Sequence, residues 1–197
     1  MRKNTSDAIK NSVNMERKSL QLLYDAMDMK MYEKAVDLLI NSSLTVTTAC
    51  GSSGFAAKKF AHSLCCVECP AKFVAPSEAV HGGLGALQSG NVLVVVSKGG
   101  KTDELIPIID VAKAKGAHII AVTQKKDSYI AQNAHVVLEL PQIPESDRYG
   151  VMSTTSFAAN TAIFDSLMVG IIEEKDYSLE QFALIHPGGA VGKAINK

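Results

Sequence analysis

The stretch V-L-V-V-V-S-K-G-G-K-T-D-E at residues 92–104 decides the fold. Val92 to Val96 is an unbroken aliphatic run. A strand that does not alternate apolar with polar is expected in a parallel sheet covered on both faces. The run ends at Ser97 in a loop with two glycines, Gly99 and Gly100. Asp103 and Glu104 then suit the positive end of a helix, which the pattern predicts over Asp103–Lys115, with Gly116 closing it. Strand, glycine loop and helix together open a βαβ unit, and the same alternation recurs on either side. Upstream, Thr45–Thr48 reads as a strand into Gly51, Gly51-Ser52-Ser53-Gly54 opens a helix to about Cys66, and Pro70–Val74 reads as a short strand. Downstream, His118–Thr123 and His135–Leu140 read as strands around a short helix at Ser128–Gln132. A loop at 141–150 leads to a long helix, Ser153–Glu174, and Ser178 with Gln181 three residues on marks a last helix start. The expected fold is α/β: a doubly wound, mainly parallel five-stranded sheet flanked by helices.

Residues 5–40 precede this sheet. Leu20, Leu22, Leu23, Met27, Met31, Ala35, Leu38 and Leu39 recur at helical steps, with a break expected near Asp28–Tyr32. That apolar stripe exceeds what a domain of this size needs and suggests packing between subunits. The 197 residues carry 20 basic and 20 acidic side chains, so no broad nucleic-acid surface is expected. The first ten residues hold no apolar core of a signal peptide. The long apolar segment at 158–172 is interrupted by Asn160 and Asp165, so a cytoplasmic protein without membrane spans is expected. Three of the four cysteines crowd into H-S-L-C-C-V-E-C. Cys66 and Cys69 with His62 resemble half of a zinc site, but structural zinc needs a second half, and the thiols read better as small hydrophobes.

Gly100-Lys101-Thr102 looks like the end of a nucleotide-binding P-loop. The glycine such a loop needs five residues before Gly100 is Val95, inside the strand, and the first loop is G-S-S-G-F-A-A rather than a dinucleotide fingerprint. The chemistry still favours an anion. Glycines let backbone N–H groups converge, hydroxyls donate, and the helix start attracts negative charge. Ser97, Gly99, Gly100 and Thr102 form one such junction, Ser52 and Ser53 a second, and Ser153-Thr154-Thr155-Ser156 a third. Any one could be a simple cap or turn. Three in one sheet point to a phosphate site.

These stretches resemble the sugar isomerase (SIS) domain, nearest the arabinose-5-phosphate isomerases of the KpsF/GutQ type. The likeness rests on G-S-S-G at 51–54, S-E-A-V-H-G-G-L-G at 77–85, V-S-K-G-G-K-T-D-E at 96–104, A-V-T-Q-K-K-D-S-Y-I-A at 121–131, S-T-T-S at 153–156 and Q-F-A-L-I-H-P-G-G-A-V-G-K at 181–193. It implies N-terminal helices over 1–40 and a SIS domain over 41–197, as a short form without the CBS domains of longer members. Phosphate binding is implied for Ser52, Ser53, Ser97, Gly99, Gly100, Lys101 and Thr102, with Ser153, Thr154 and Lys98 as further substrate contacts. Four positions depart from the family pattern: Ser52 stands where a basic residue is usual, Gly83 where an acidic residue is usual, Gly99 where serine is usual and Lys101 where glutamate is usual. Lys98 or Lys101 is expected to restore the cation.

The resemblance also implies Glu145 as base, His186 for ring opening and proton shuttling, and His81 for orienting substrate. Aldose–ketose isomerisation through a cis-enediol needs such a carboxylate and a group titrating near neutrality. Taken singly, Glu145 reads as a solvated loop charge, His186 as a helix cap and His81 as a turn residue. The implied function is a phosphosugar isomerase of the arabinose 5-phosphate/ribulose 5-phosphate type, without metal or organic cofactor, as a homodimer or homotetramer. A hexulose 6-phosphate isomerase and a non-catalytic phosphosugar-binding regulator remain as alternatives.

Overall fold

The structure is a computed structural model and describes residues 4–195. Two helices lead, α1 (Thr5–Ala26) and α2 (Met29–Ile40). The break between them falls at Met27, which is extended, and Asp28, whose carboxylate caps α2 by accepting from the Lys30 amide at 3.1 Å. Five strands follow: β1 (Thr45–Ala49), β2 (Ala71–Phe73), β3 (Val92–Val96), β4 (His118–Thr123) and β5 (Val136–Glu139). All pair in parallel, in the order β2-β1-β3-β4-β5. The connecting helices are α3 (Gly51–Cys65), α4 (Pro76–Val80), α5 (Ile106–Ala114) and α6 (Tyr129–Gln132); α7 (Thr155–Glu174), α8 (Leu179–Ile185) and α9 (Gly189–Ile195) close the chain.

The central strands alternate between two cores. Val92, Val94 and Val96 of β3 and Ile120 and Val122 of β4 face a core shared with α2, α3 and α7. Leu93, Val95, Ile119 and Ala121 face a second core shared with α5. Every residue of β3 is buried, so the unbroken valine run serves both faces. α7 is long and apolar enough by composition to cross a membrane, yet it packs on α1, α2 and α3, and half of its most apolar stretch is buried there. Phe164 of α7 stacks on Phe60 of α3 at 4.3 Å.

Several boundaries depart from the sequence expectation. The helix expected from Asp103 begins as a 3₁₀ turn over Asp103–Leu105 and becomes α-helical at Ile106, because Pro107 fits only the first turn of a helix. Three further elements, α4, a 3₁₀ turn at Gly83–Ala86, and α9, are too short to show periodicity in the sequence. The cap at Ser178 forms as expected, with Ser178 and Gln181 bonded reciprocally at 3.2 and 2.9 Å.

Candidate phosphosugar site at the sheet switch point

In the strand order β2-β1-β3-β4-β5 the direction of winding reverses between β1 and β3. Loops leaving the carboxyl ends of those two strands diverge there and leave a crevice. The two loops are Gly51–Gly54 and Ser97–Thr102. Gly51 has φ +56°, which lets β1 turn straight into α3. Ser52 is exposed and Ser53 half-buried in the first turn of that helix. A cavity of about 540 Å³ opens beside this turn, lined among others by Cys50, Gly51, Gly54, Lys58 and Glu104. Burial, and then the Glu104 charge, push the Cys50 thiol up from its ordinary value.

The second loop is folded on itself. The Ser97 hydroxyl accepts from the Gly100 amide at 3.0 Å and pairs with the Thr102 hydroxyl at 2.8 Å. Gly100 has φ +65°, and a Cβ there would lie 2.3 Å from both Cβ and Oγ of Ser128, so only glycine fits. Ser97 is buried; Gly99 and Lys101 are exposed, and Lys98 and Thr102 half-buried. Ser97 and Thr102 therefore clasp the loop. Its outward face is offered by Gly99, Lys101 and the Lys98 side chain.

Glu145 sits at the centre. It lies in the 141–150 loop but is only 5% exposed. Its two oxygens have different partners. Oε2 accepts from the Thr154 amide at 2.8 Å, the Thr155 hydroxyl at 3.0 Å, the Thr154 hydroxyl at 3.2 Å and the Ser156 amide at 3.3 Å. These donors belong to the start of α7, where a carboxylate is favoured. Oε1 accepts from the Lys98 ammonium at 2.5 Å. Burial alone would push this carboxyl up. The Lys98 ammonium and the hydroxyl and amide donors of α7 outweigh it and bring the group down to about 2. Glu145 thus ties the β3 loop to the start of α7.

Other contacts brace this centre. The Ser146 amide donates to Thr154 Oγ1 at 2.9 Å, and Ser153 and Ser156 hydroxyls lie 3.1 Å apart. From α1, Ser12 pairs with Ser146 at 2.7 Å and Ser19 donates to the Thr155 carbonyl at 3.3 Å, so the N-terminal helix buttresses the site. Asp147 is a residue that sequence reasoning missed. Its carboxylate accepts from the amides of Tyr149, Val151 and Met152 at 2.7–2.9 Å and shapes the loop before α7; the Met152 amide, first among them, holds it below the usual carboxylate value. An aspartate opening a polar turn with Gly150 at its end was the available signal.

Each of the two histidines closes a short helix. His186 caps α8; its ring stacks on Phe182 at 3.9 Å and its Nδ1 lies 2.9 Å from the Phe182 carbonyl. α8 and α9 pack chiefly on each other. His81 caps α4 and is exposed. Of the cysteine cluster, Cys66 Sγ lies 3.7 Å from His62 Nε2, whereas Cys69 turns inward toward Lys175.

A five-stranded parallel sheet in this order, with hydroxyl- and glycine-rich loops at the switch point and a buried carboxylate behind them, is a doubly wound α/β domain with a crevice suited to an anionic ligand. The sequence profile of the SIS domain matches residues 38–170, and the chain belongs to that family. The arabinose 5-phosphate isomerase KpsF of Escherichia coli is 31% identical over 189 residues, which are 95% of this chain and 60% of that protein. The chain thus spans about three-fifths of the length of this relative. A candidate sugar-phosphate isomerase from Listeria monocytogenes superposes with TM-score 0.91 at 36% identity, over 95% of this chain and 99% of that one. An Escherichia coli CFT073 protein in complex with arabinose 5-phosphate shares the fold, with TM-score 0.85 at 24% identity over 95% and 100% of the two chains.

Proposed function

We propose that this chain is a phosphosugar aldose–ketose isomerase, of the arabinose 5-phosphate/ribulose 5-phosphate type. The observation that carries the reading is Glu145: a buried carboxylate with one oxygen fixed by α7 and the other turned toward the glycine loop at the switch point. Family membership and the KpsF likeness over 95% of the chain support it. The phosphate is held by the outward face of the 97–102 loop and by Ser52 and Ser53. Glu145 Oε1 takes the proton from C2 of the open-chain aldose, the enediol forms, and the same oxygen returns the proton to C1. Fixing Oε2 leaves Oε1 aimed in one direction, which is what a shared-proton transfer between adjacent carbons needs.

His186 opens the sugar ring and moves hydroxyl protons, and His81 orients the substrate. Following the family resemblance, we assign His186, at the end of α8, to the site of a neighbouring copy in a homodimer or homotetramer. The apolar residues left open on α1 (Ile9, Val13, Tyr24) and α8 (Leu179, Leu184) supply surface for that assembly. A monomer by light scattering would remove the shared site.

A second reading, a phosphosugar-binding regulator, is favoured by the exposed Lys101 in place of the usual glutamate and by Glu145 already engaged with Lys98. Proton NMR in D₂O with arabinose 5-phosphate, ribulose 5-phosphate and fructose 6-phosphate separates the two. Solvent deuterium at the reacting carbon, lost in Glu145→Gln while ligand binding persists, supports the isomerase. Binding without exchange supports the regulator.

A further inference from the structure

We propose that Lys98 is a substrate-displaced mask on Glu145: in the free protein its ammonium covers the oxygen that is to take the substrate proton, and a phosphate monoester on the 97–102 loop draws it away. This rests on the reading of the loop as a phosphate site. Lys98 is then a positioning residue, acting through Glu145.

The carboxylate is held asymmetrically. Four donors hold Oε2, all from residues 154–156 and all fixed by the start of α7. Oε1 has a single recorded partner, Lys98. Among the described residues Lys98 is also the only charged group recorded as acting on Glu145; the others are hydroxyls and amides of the α7 start.

Only part of Lys98 is free to move. Its carbonyl accepts from the Gln124 amide at 3.1 Å and from the Thr123 hydroxyl at 3.3 Å, and its neighbours Ser97 and Gly100 are pinned by the clasp and by Ser128. The backbone is therefore fixed and the freedom lies in the four-carbon stem. The Lys98 side chain is 35% exposed against 4% for Glu145, so the ammonium meets an incoming anion while the carboxylate does not.

A bound phosphate would compete for that ammonium. A phosphate monoester carries about −1.5 to −2 at neutral pH, and about −1 in the acid range below its second pKa of about 6, with three oxygens to offer against one carboxylate oxygen. A lysine ammonium has three rotatable donors on a flexible stem and can be exchanged between acceptors. Gly99, next to Lys98, and Lys101, three residues on, are exposed on the same short loop, so an anion bound there lies near the ammonium. Once it leaves, burial of Glu145 is opposed by fewer donors and the carboxylate becomes a stronger base. The base is then exposed only when substrate phosphate is in place.

The test follows the Glu145 carboxyl carbon by ¹³C NMR against pH in the full chain, assigned through Glu145→Gln, with and without inorganic phosphate, in wild type and Lys98→Met. Phosphate should raise the Glu145 midpoint by roughly 1–3 pH units in wild type, the range an opposite charge accounts for. Lys98→Met should show a raised midpoint without phosphate and respond little to it. If phosphate binds, as thermal stabilisation reports, and the wild-type midpoint stays put, the mask is wrong and the loop reading stands. An equal phosphate shift in Lys98→Met means direct repulsion by the ligand and likewise overturns the mask. No phosphate binding overturns the loop reading and the mask together. Lys98→Gln serves if the methionine variant does not fold, and an unmoved wild-type midpoint with phosphate bound refutes the mask by itself.

Discussion

Glu145→Gln should destabilise the fold by an amount that depends on pH in a defined way. In the folded protein this carboxyl is held at about 2. An unfolded glutamate titrates near 4.3, and the gap corresponds to ~3 kcal/mol of stability at neutral pH. The conversion is reasonable because the side chain is only 4% exposed and little screened by solvent. Because the surviving Lys98 side chain is 35% exposed and can turn to solvent, the loss of about 3–5 kcal/mol expected for a fully buried pair is an upper bound. Glutamine is near in shape, and its amide oxygen can face the α7 donors. Its NH₂ then meets the Lys98 ammonium, donor against donor. Because the folded value is depressed, the contribution is complete above the unfolded value and is lost as pH falls toward the folded one. Urea unfolding of wild type and variant, at one protein concentration, measures the difference across pH 7 to 2.5. The difference should be ~3 kcal/mol at pH 7, hold down to about pH 5, and shrink toward zero near pH 2. A difference below ~1 kcal/mol at pH 7, or one that stays flat across the acid range, would refute the placement of this carboxylate among its donors.

Gly100→Ala should cost ~2–4 kcal/mol, from left-handed backbone strain and from the collision with Ser128. Adding Ser128→Gly should return the collision share and leave the strain share, a non-additivity read by urea unfolding of the double variant; strictly additive losses would mean the two residues do not touch. His135 accepts the Ile119 amide on Nδ1 at 3.0 Å, so its neutral form carries the proton on Nε2. Burial, then the neighbouring His118 and Lys34, lower its pKa, so stability should fall as pH drops below the unfolded histidine value of about 6.5. A doubly protonated ring by ¹⁵N NMR at pH 6 would contradict that contact.

The five strands and their parallel pairing were legible because each buried strand is a short aliphatic run between turn residues. Their order was not. Nothing local in Ala71–Phe73 says that it pairs outside β1 while Val92–Val96 pairs inside it; that depends on α3 crossing one face of the sheet and α5 the other. α4 is readable in retrospect from Ala75-Pro76-Ser77-Glu78, since proline opens a helix and glutamate suits its first turn.

For the site, residue types were legible and partners were not. Ser97 and Thr102 read as open phosphate donors, but five residues apart on a tight loop they bond each other, which leaves one of the two O–H groups to donate elsewhere. Glu145, taken singly, reads as a solvated charge in a proline-rich loop, and is buried because α7 begins beneath it with four donors in need of an acceptor. Its counter-ion Lys98 lies 47 residues away, on the next junction of the switch point, a distance that no local pattern spans. The departures at Ser52 and Lys101 then make joint sense. Losing a basic residue at Ser52 removes one positive charge from the first loop, and lysine for glutamate at Lys101 adds two to the second, a net gain of one. The cations carried by the two loops, Lys98, paired with Glu145, and Lys101, both stand on the β3 side of the crevice. On the proposed reading, a phosphate drawn to that side would lie next to the ammonium whose departure would free the base.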